Sequence, residues 1–140
     1  MADIDALRAL VTARAGGACE YCRLLQDASG VRFHVDHIKP RSLGGATNLA
    51  NLALSCPGCN LAKGPRQIGM DLNGFERELF NPRMYEPWIL GWHLHFSLDL
   101  ITGRIVPRSD VGEATIAVLA MNGPARSFAR KLQVEAGLLR

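Results

Sequence analysis

No stretch of this 140-residue sequence approaches the ~18 uninterrupted apolar residues that a membrane-spanning helix needs. The opening Met1-Ala2-Asp3-Ile4-Asp5 lacks a basic segment followed by an apolar run, so no secretory signal is read there and the expected location is the cytoplasm. Internal repeats and low-complexity tracts are absent, and no linker is long enough to separate a second domain. With 48% hydrophobic and 21% charged residues, the expectation is one compact domain spanning 1–140.

Cysteine is sparse, and its placement is informative. All four cysteines fall in two Cys-x-x-Cys pairs, Cys19/Cys22 and Cys56/Cys59. In a chain without a secretory signal, that spacing points to a tetrahedral Zn²⁺ site rather than disulfides. A thioredoxin-type redox motif would need one pair only, at the start of a helix after a strand. Net charge is +3, and it is concentrated: residues 30–70 hold Arg32, Lys39, Arg41, Lys63 and Arg66 against Asp36 alone, while the flanking segments are close to balanced. A local excess of cations suits a surface that meets phosphates, although a solvated basic face would show the same count.

Helical spacing of Ile4, Leu7, Leu10 and Val11, ended by Gly16-Gly17, predicts a packing helix over 4–15. Val31, Phe33 and Val35 alternate with Arg32, His34 and Asp36, the period of a half-buried strand over 31–36. Lys39 to Asn48 has the Pro, Gly-Gly and Asn content of a loop folding back. Leu52–Ser55 can then return antiparallel, and Cys56-Pro57-Gly58-Cys59 turns into a short helix over Asn60–Lys63 that Gly64-Pro65 closes. Strand, loop, strand and helix form a ββα unit. Residues 66–88 read as irregular. Trp92, Leu94, Phe96 and Leu98 alternate with His93, His95, Ser97 and Asp99, which predicts a strand turning at Ile101–Arg104 into a partner over Ile105–Pro107. Asp110 reads as the cap of a helix running to Met121, and Pro124 as the start of a last helix with Phe128, Leu132 and Val134 inward.

Three pieces, Cys-Glu-Tyr-Cys from Cys19, Val-Asp-His-Ile-Lys-Pro-Arg-Ser-Leu-Gly-Gly from Val35, and Asn-Leu-Ala-Leu-Ser-Cys-Pro-Gly-Cys-Asn-Leu-Ala-Lys-Gly from Asn51, resemble the HNH endonucleases of the ββα-metal (His-Me finger) superfamily. The tail, with Phe80-Asn81-Pro82-Arg83 and Trp92-His93-Leu94-His95-Phe96, is similar to small stand-alone bacterial or phage members. The resemblance implies an α+β fold: a zinc-stapled ββα-metal core over 19–64, an N-terminal helix, and a C-terminal β-hairpin plus two helices over about 88–140. It implies His37 as general base, Asp36 and Asn60 as ligands of a catalytic Mg²⁺ or Mn²⁺, Asn51 as the brace that aims His37, and Cys19, Cys22, Cys56 and Cys59 as ligands of structural zinc. Lys39, Arg41, Lys63 and Arg66 become candidate contacts to DNA, expected to be double-stranded. Asn60 stands where many members have histidine, which shifts the metal preference toward cations that favour oxygen.

Elementary chemistry fits these roles. Phosphodiester hydrolysis must generate a nucleophile near neutral pH and stabilise charge on the phosphoryl oxygens and the leaving 3′ oxygen. Histidine, with an ordinary pKa of ~6.5, suits the first task, and carboxylate and amide oxygens are hard ligands for Mg²⁺. Each residue also has a plainer reading. Asp36-His37 could be a strand-end turn, Asn60 a helix-start residue and Asn51 a turn former. His34 shares a strand face with Asp36 and reads as exposed, and His93 and His95 share a face without a third ligand nearby. The rival to a nuclease is a non-catalytic zinc-ribbon module that binds nucleic acid through the basic segment, followed by a zinc-stabilised interaction domain without nucleic acid.

Overall fold

The first helix, α1 (Ile4–Ala15), forms where the sequence expects it: the Asp3 carboxylate accepts the Asp5 amide at its start, and Gly16 takes the left-handed conformation, φ 65°, at its end. The computed structural model describes residues 3–140; Met1 and Ala2, read above for a targeting signal, lie outside the described residues. Beyond the first cysteine pair comes a single turn, α2 (Gln26–Ser29).

Strands β1 (His34–His37) and β2 (Leu52–Ser55) pair antiparallel, with His37 opposite Leu52 and Asp36 opposite Ala53. The first strand begins at His34 rather than Val31. Side chains have already claimed the backbone of Phe33: its amide donates to Gln26 Oε1 at 2.8 Å and its carbonyl accepts from Arg8 Nη1 at 2.7 Å, so neither group enters the ladder. Helix α3 (Pro57–Lys63) follows β2, with Cys56 as N-cap and Pro57 at the first position, where a missing N–H costs nothing. It therefore starts earlier than expected, and the ββα unit is complete.

The segment expected to be irregular contains a hairpin of β3 (Ile68–Met70) and β4 (Glu76–Glu78). Asp71 makes its turn: Oδ1 accepts the amides of Asn73 and Phe75 at 2.9 Å each, and Oδ2 takes Arg77 Nε at 2.9 Å. Three-residue strands with largely exposed side chains leave too short an alternation to read. The expected strand from Trp92 begins as helix α4 (Trp88–His95) and becomes strand β5 only at Phe96–Leu98, which pairs with β6 (Ile105–Pro107). Trp88, Gly91 and Trp92 are the buried residues, at helical rather than alternating spacing. Helix α5 (Asp110–Leu119) is capped by Ser109, whose Oγ accepts the Gly112 amide, and stops at left-handed Ala120, short of Met121. Helix α6 (Pro124–Glu135) starts at Pro124 as expected, but its inward face is Ser127, Arg130 and Gln133, while Phe128 and Leu132 are exposed. The polar face turns inward because unpaired backbone groups wait there: Arg130 donates to Gly103 and Met121 carbonyls at 2.7 Å each, and Gln133 Oε1 accepts the Leu25 amide at 2.9 Å.

One buried cluster joins these parts, running from Val11 of α1 through Tyr21, Leu52, Leu54, Trp88, Trp92 and Phe96 to Leu119 and Met121. Trp92 Nε1 donates to the Tyr21 carbonyl at 2.8 Å, and the Arg23 guanidinium lies 5.0 Å from the Trp92 ring centre. Phe80-Asn81-Pro82-Arg83 serves the same seam. Arg83 pairs with the fully buried carboxylate of Glu20, which also accepts the Leu54 amide at 2.8 Å. Burial pushes the Glu20 carboxyl up, against the pull of Arg83. Arg83→Ala strands that carboxylate and is expected to cost about 3–5 kcal/mol in urea unfolding; a loss under about 1 kcal/mol, the range of an exposed pair, would show the contact to be incidental.

His95 provides a pH-dependent test of the same seam. Its Nδ1 lies 2.6 Å from Ser109 Oγ and its Nε2 2.7 Å from Tyr85 Oη, and its ring meets those of Phe80 and Phe96 edge-on. Burial holds the ring below its ordinary pKa. Between that lowered value and ~6.5 the unfolded chain takes up a proton that the folded protein refuses, so stability is full above ~6.5 and declines as pH falls through the window. His37 and His93 are lowered too and add to the slope. The readout is therefore the difference between wild type and His95→Gln, whose stability should depend less steeply on pH below ~6.5; identical slopes would refute the assignment.

Candidate active site

The four cysteine sulfurs lie within 4.8 Å of one another, and all four residues are buried and free. Cys22 and Cys56 Sγ are 3.6 Å apart, far beyond the ~2.05 Å of a disulfide and close to the ~3.8 Å edge of a tetrahedron with ~2.3 Å Zn–S bonds. The Cys22 and Cys59 amides point at Cys19 and Cys56 Sγ, each at 3.4 Å, so the knuckles present donors to sulfur as thiolates require. Residue type, burial and spacing all fit zinc.

The knuckle does more than hold metal. Tyr21, fully buried between Cys19 and Cys22, donates its hydroxyl to Asp36 Oδ2 at 2.9 Å. Lys63 Nζ, at the end of α3, meets the same oxygen at 3.1 Å and reaches the His37 and Ile38 carbonyls at 3.3 Å each. Both contacts on the carboxylate use Oδ2 and leave Oδ1 for another partner. Burial raises the Asp36 carboxyl above its ordinary pKa, opposed by Lys63 and Tyr21. Asn60 lies half-buried in α3, one residue beyond Cys59, and α3 packs on β1.

His37 ends β1 half-buried, its Nε2 2.8 Å from Thr47 Oγ1. Burial, followed by the charge of Arg41, lowers its pKa, which keeps the ring neutral. Asn51 clamps the loop that carries Thr47: Oδ1 accepts the Lys39 amide at 2.9 Å, and Nδ2 donates to the Lys39 carbonyl at 3.0 Å and the Ala46 carbonyl at 2.9 Å. Gly45 permits the tight return, since a Cβ there would stand 1.8 Å from the Lys39 carbonyl oxygen. Side-chain chemistry is thus assembled by a loop whose two ends are cross-braced.

Lys39, Arg41 and Arg66 are exposed, whereas Lys63 is buried, its ammonium turned inward to Asp36. As placed, Lys63 braces the carboxylate instead of offering a surface charge. His34 is exposed, and His93 and His95 share no metal cluster: His95 is spent on Tyr85 and Ser109. Thr47 and Tyr21 have no sequence signal of their own. Their roles depend on a loop closing across ten residues and on a hydroxyl reaching across fifteen.

The architecture and the cysteine cluster define a mixed α and β protein with a zinc-stapled ββα-metal core. Residues 19–66 match the family model for HNH endonuclease, about a third of the chain. No curated protein and no solved structure matches the chain. The match supports a nuclease-type function with nucleic acid as partner, and among the described residues no helix is long and apolar enough to cross a membrane. The zinc assignment is testable directly. Cys56→Ser should carry much less zinc by metal analysis and melt at a clearly lower temperature, because metal binding contributes to folding free energy; full metal content and an unchanged melting curve would overturn it.

Proposed function

We propose that the protein is a metal-dependent endonuclease, acting in the cytoplasm as one domain over 1–140, that hydrolyses phosphodiester bonds of double-stranded DNA. The observation that carries this reading is the cross-braced loop: Asn51 makes three hydrogen bonds around Lys39 and Ala46 while Thr47 engages His37 Nε2. When Nε2–H donates to Thr47 Oγ1, Nδ1 carries the lone pair. A neutral imidazole held in that tautomer can take the proton of an attacking water.

Asp36 and Asn60 offer one carboxylate oxygen and one amide oxygen from packed elements, a hard donor pair suited to Mg²⁺ or Mn²⁺. When bound, the cation supplies positive charge to the phosphoryl oxygens and the leaving 3′ oxygen. Tyr21 and Lys63 hold Asp36 in place through Oδ2. Lys39, Arg41 and Arg66, exposed along the basic segment, would contact neighbouring phosphates, and affinity should fall as salt rises.

With plasmid DNA and Mg²⁺, His37→Ala should lose about 10²–10⁴-fold in cleavage rate, while keeping its zinc and melting curve. Undiminished cleavage in that variant would remove the mechanism. Salt-sensitive DNA retention by wild type, with no cleavage at any divalent cation, would instead establish a non-catalytic zinc-ribbon module.

A further inference from the structure

One side chain of the C-terminal extension reaches the cysteine cluster. Arg126, in the first turn of α6, donates from Nη1 to Cys59 Sγ at 3.0 Å. Its other terminal nitrogen donates to the carbonyls of Leu119, at 2.8 Å, and Ala120, which end α5. The guanidinium therefore joins the Cys59 sulfur to the negative pole of a helix in one planar fork. Approach to the cluster is made possible by Gly58, between the two cysteines of the second knuckle. A Cβ at that position would stand 2.7 Å from Arg126 Nε and 2.9 Å from its Cδ. Two separate features, a hydrogen bond and a missing side chain, thus point to the same fit.

A zinc ion bound by four thiolates carries a net charge of about −2, and burial makes that charge costly unless it is compensated. We propose that Arg126 is a positioning residue for the zinc staple, stabilising the Cys59 thiolate and fixing the start of α3, the turn that bears Asn60. The fork explains why the C-terminal helices belong with the metal core although they lie outside the matched segment 19–66. It also assigns a role to Gly58 that helix propensity alone would argue against. The inference rests on metal binding by the four cysteines and not on cleavage.

The test uses the whole protein with Co²⁺ in place of zinc and, separately, zinc release to a chelator. Arg126→Met removes the donor while keeping an unbranched apolar stem. The thiolate-to-cobalt charge-transfer band should move to lower energy, because a sulfur without its N–H partner gives up an electron more easily, and zinc should leave on the order of 10- to 100-fold faster. Arg126→Lys keeps a charge but cannot reach three diverging acceptors, and should fall between. Gly58→Ala in the wild type should reproduce the band shift by pushing the guanidinium aside, although alanine is the better helix former. In the Arg126→Met background the same Gly58→Ala should leave the band where it is and slightly raise stability. A band that stays put, with release within twofold of wild type in both Arg126→Met and Gly58→Ala, would overturn the proposal. If Arg126→Met does not fold, Gly58→Ala and Arg126→Lys decide it alone. A wild-type protein that takes up neither metal would defeat the zinc reading itself, a distinct outcome from an unmoved band.

Discussion

Four cysteine sulfurs brought within 4.8 Å of one another, an arrangement that fits zinc, are the constraint on which the other parts depend. They tie residues 19–22 to residues 56–59 across an intervening strand, loop and strand. The first knuckle is an irregular turn, and the second is the capped opening turn of α3. Each leads to the candidate chemistry: Tyr21, inside the first knuckle, donates to Asp36, and Asn60 leaves the second knuckle as the next residue. A small α+β unit with two four-residue strands has little apolar area with which to hold such geometry, and metal ligation supplies what packing lacks.

Around that staple, buried charge is used as mortar. Glu20 with Arg83 and Cys59 with Arg126 join the core motif to the Phe80–Arg83 turn and the start of α6, while Asp36 with Lys63 ties β1 to the end of α3 within it. Ion pairs of this kind contribute little net stability compared with an apolar core of the same volume, since desolvation offsets much of the attraction. Their value is in orientation, because a carboxylate or thiolate with a directional partner has one place to be. The same division holds at His37, where the ring is set by Thr47 and the loop by Asn51, so that aim and tension come from separate residues.

The C-terminal half departs most from its expected form. Strand-like alternation from Trp92 gave way to a helix because Trp88, Gly91 and Trp92 pack on one side of it. Helix α6 inverted its expected faces because Arg130 and Gln133 meet carbonyls of the β5–β6 turn and of Leu25, leaving Phe128 and Leu132 outside. The two departures differ in origin: α4 still turns apolar residues inward, at helical instead of alternating spacing, whereas α6 does not. Hydropathy patterns assume that apolar residues face inward, and here free carbonyl groups inside the protein were better matched by long polar side chains.

What the sequence determined by itself was local. Two Cys-x-x-Cys pairs, Asp36-His37 at a strand end, Asn51 five residues before Cys56 and Asn60 after Cys59 specify a zinc-bound ββα core, because ligand spacing and strand period are properties of neighbouring residues. Tertiary structure alone decided which partners those residues face. Tyr21 to Asp36 spans 15 positions, Arg126 to Cys59 spans 67 and Gln133 to Leu25 spans 108. No pattern along the chain records such distances. Each depends on a hydrogen bond that exists only once the elements have packed and the water between them has gone, so Lys63 could be read as a surface cation until the fold turned it inward onto Asp36.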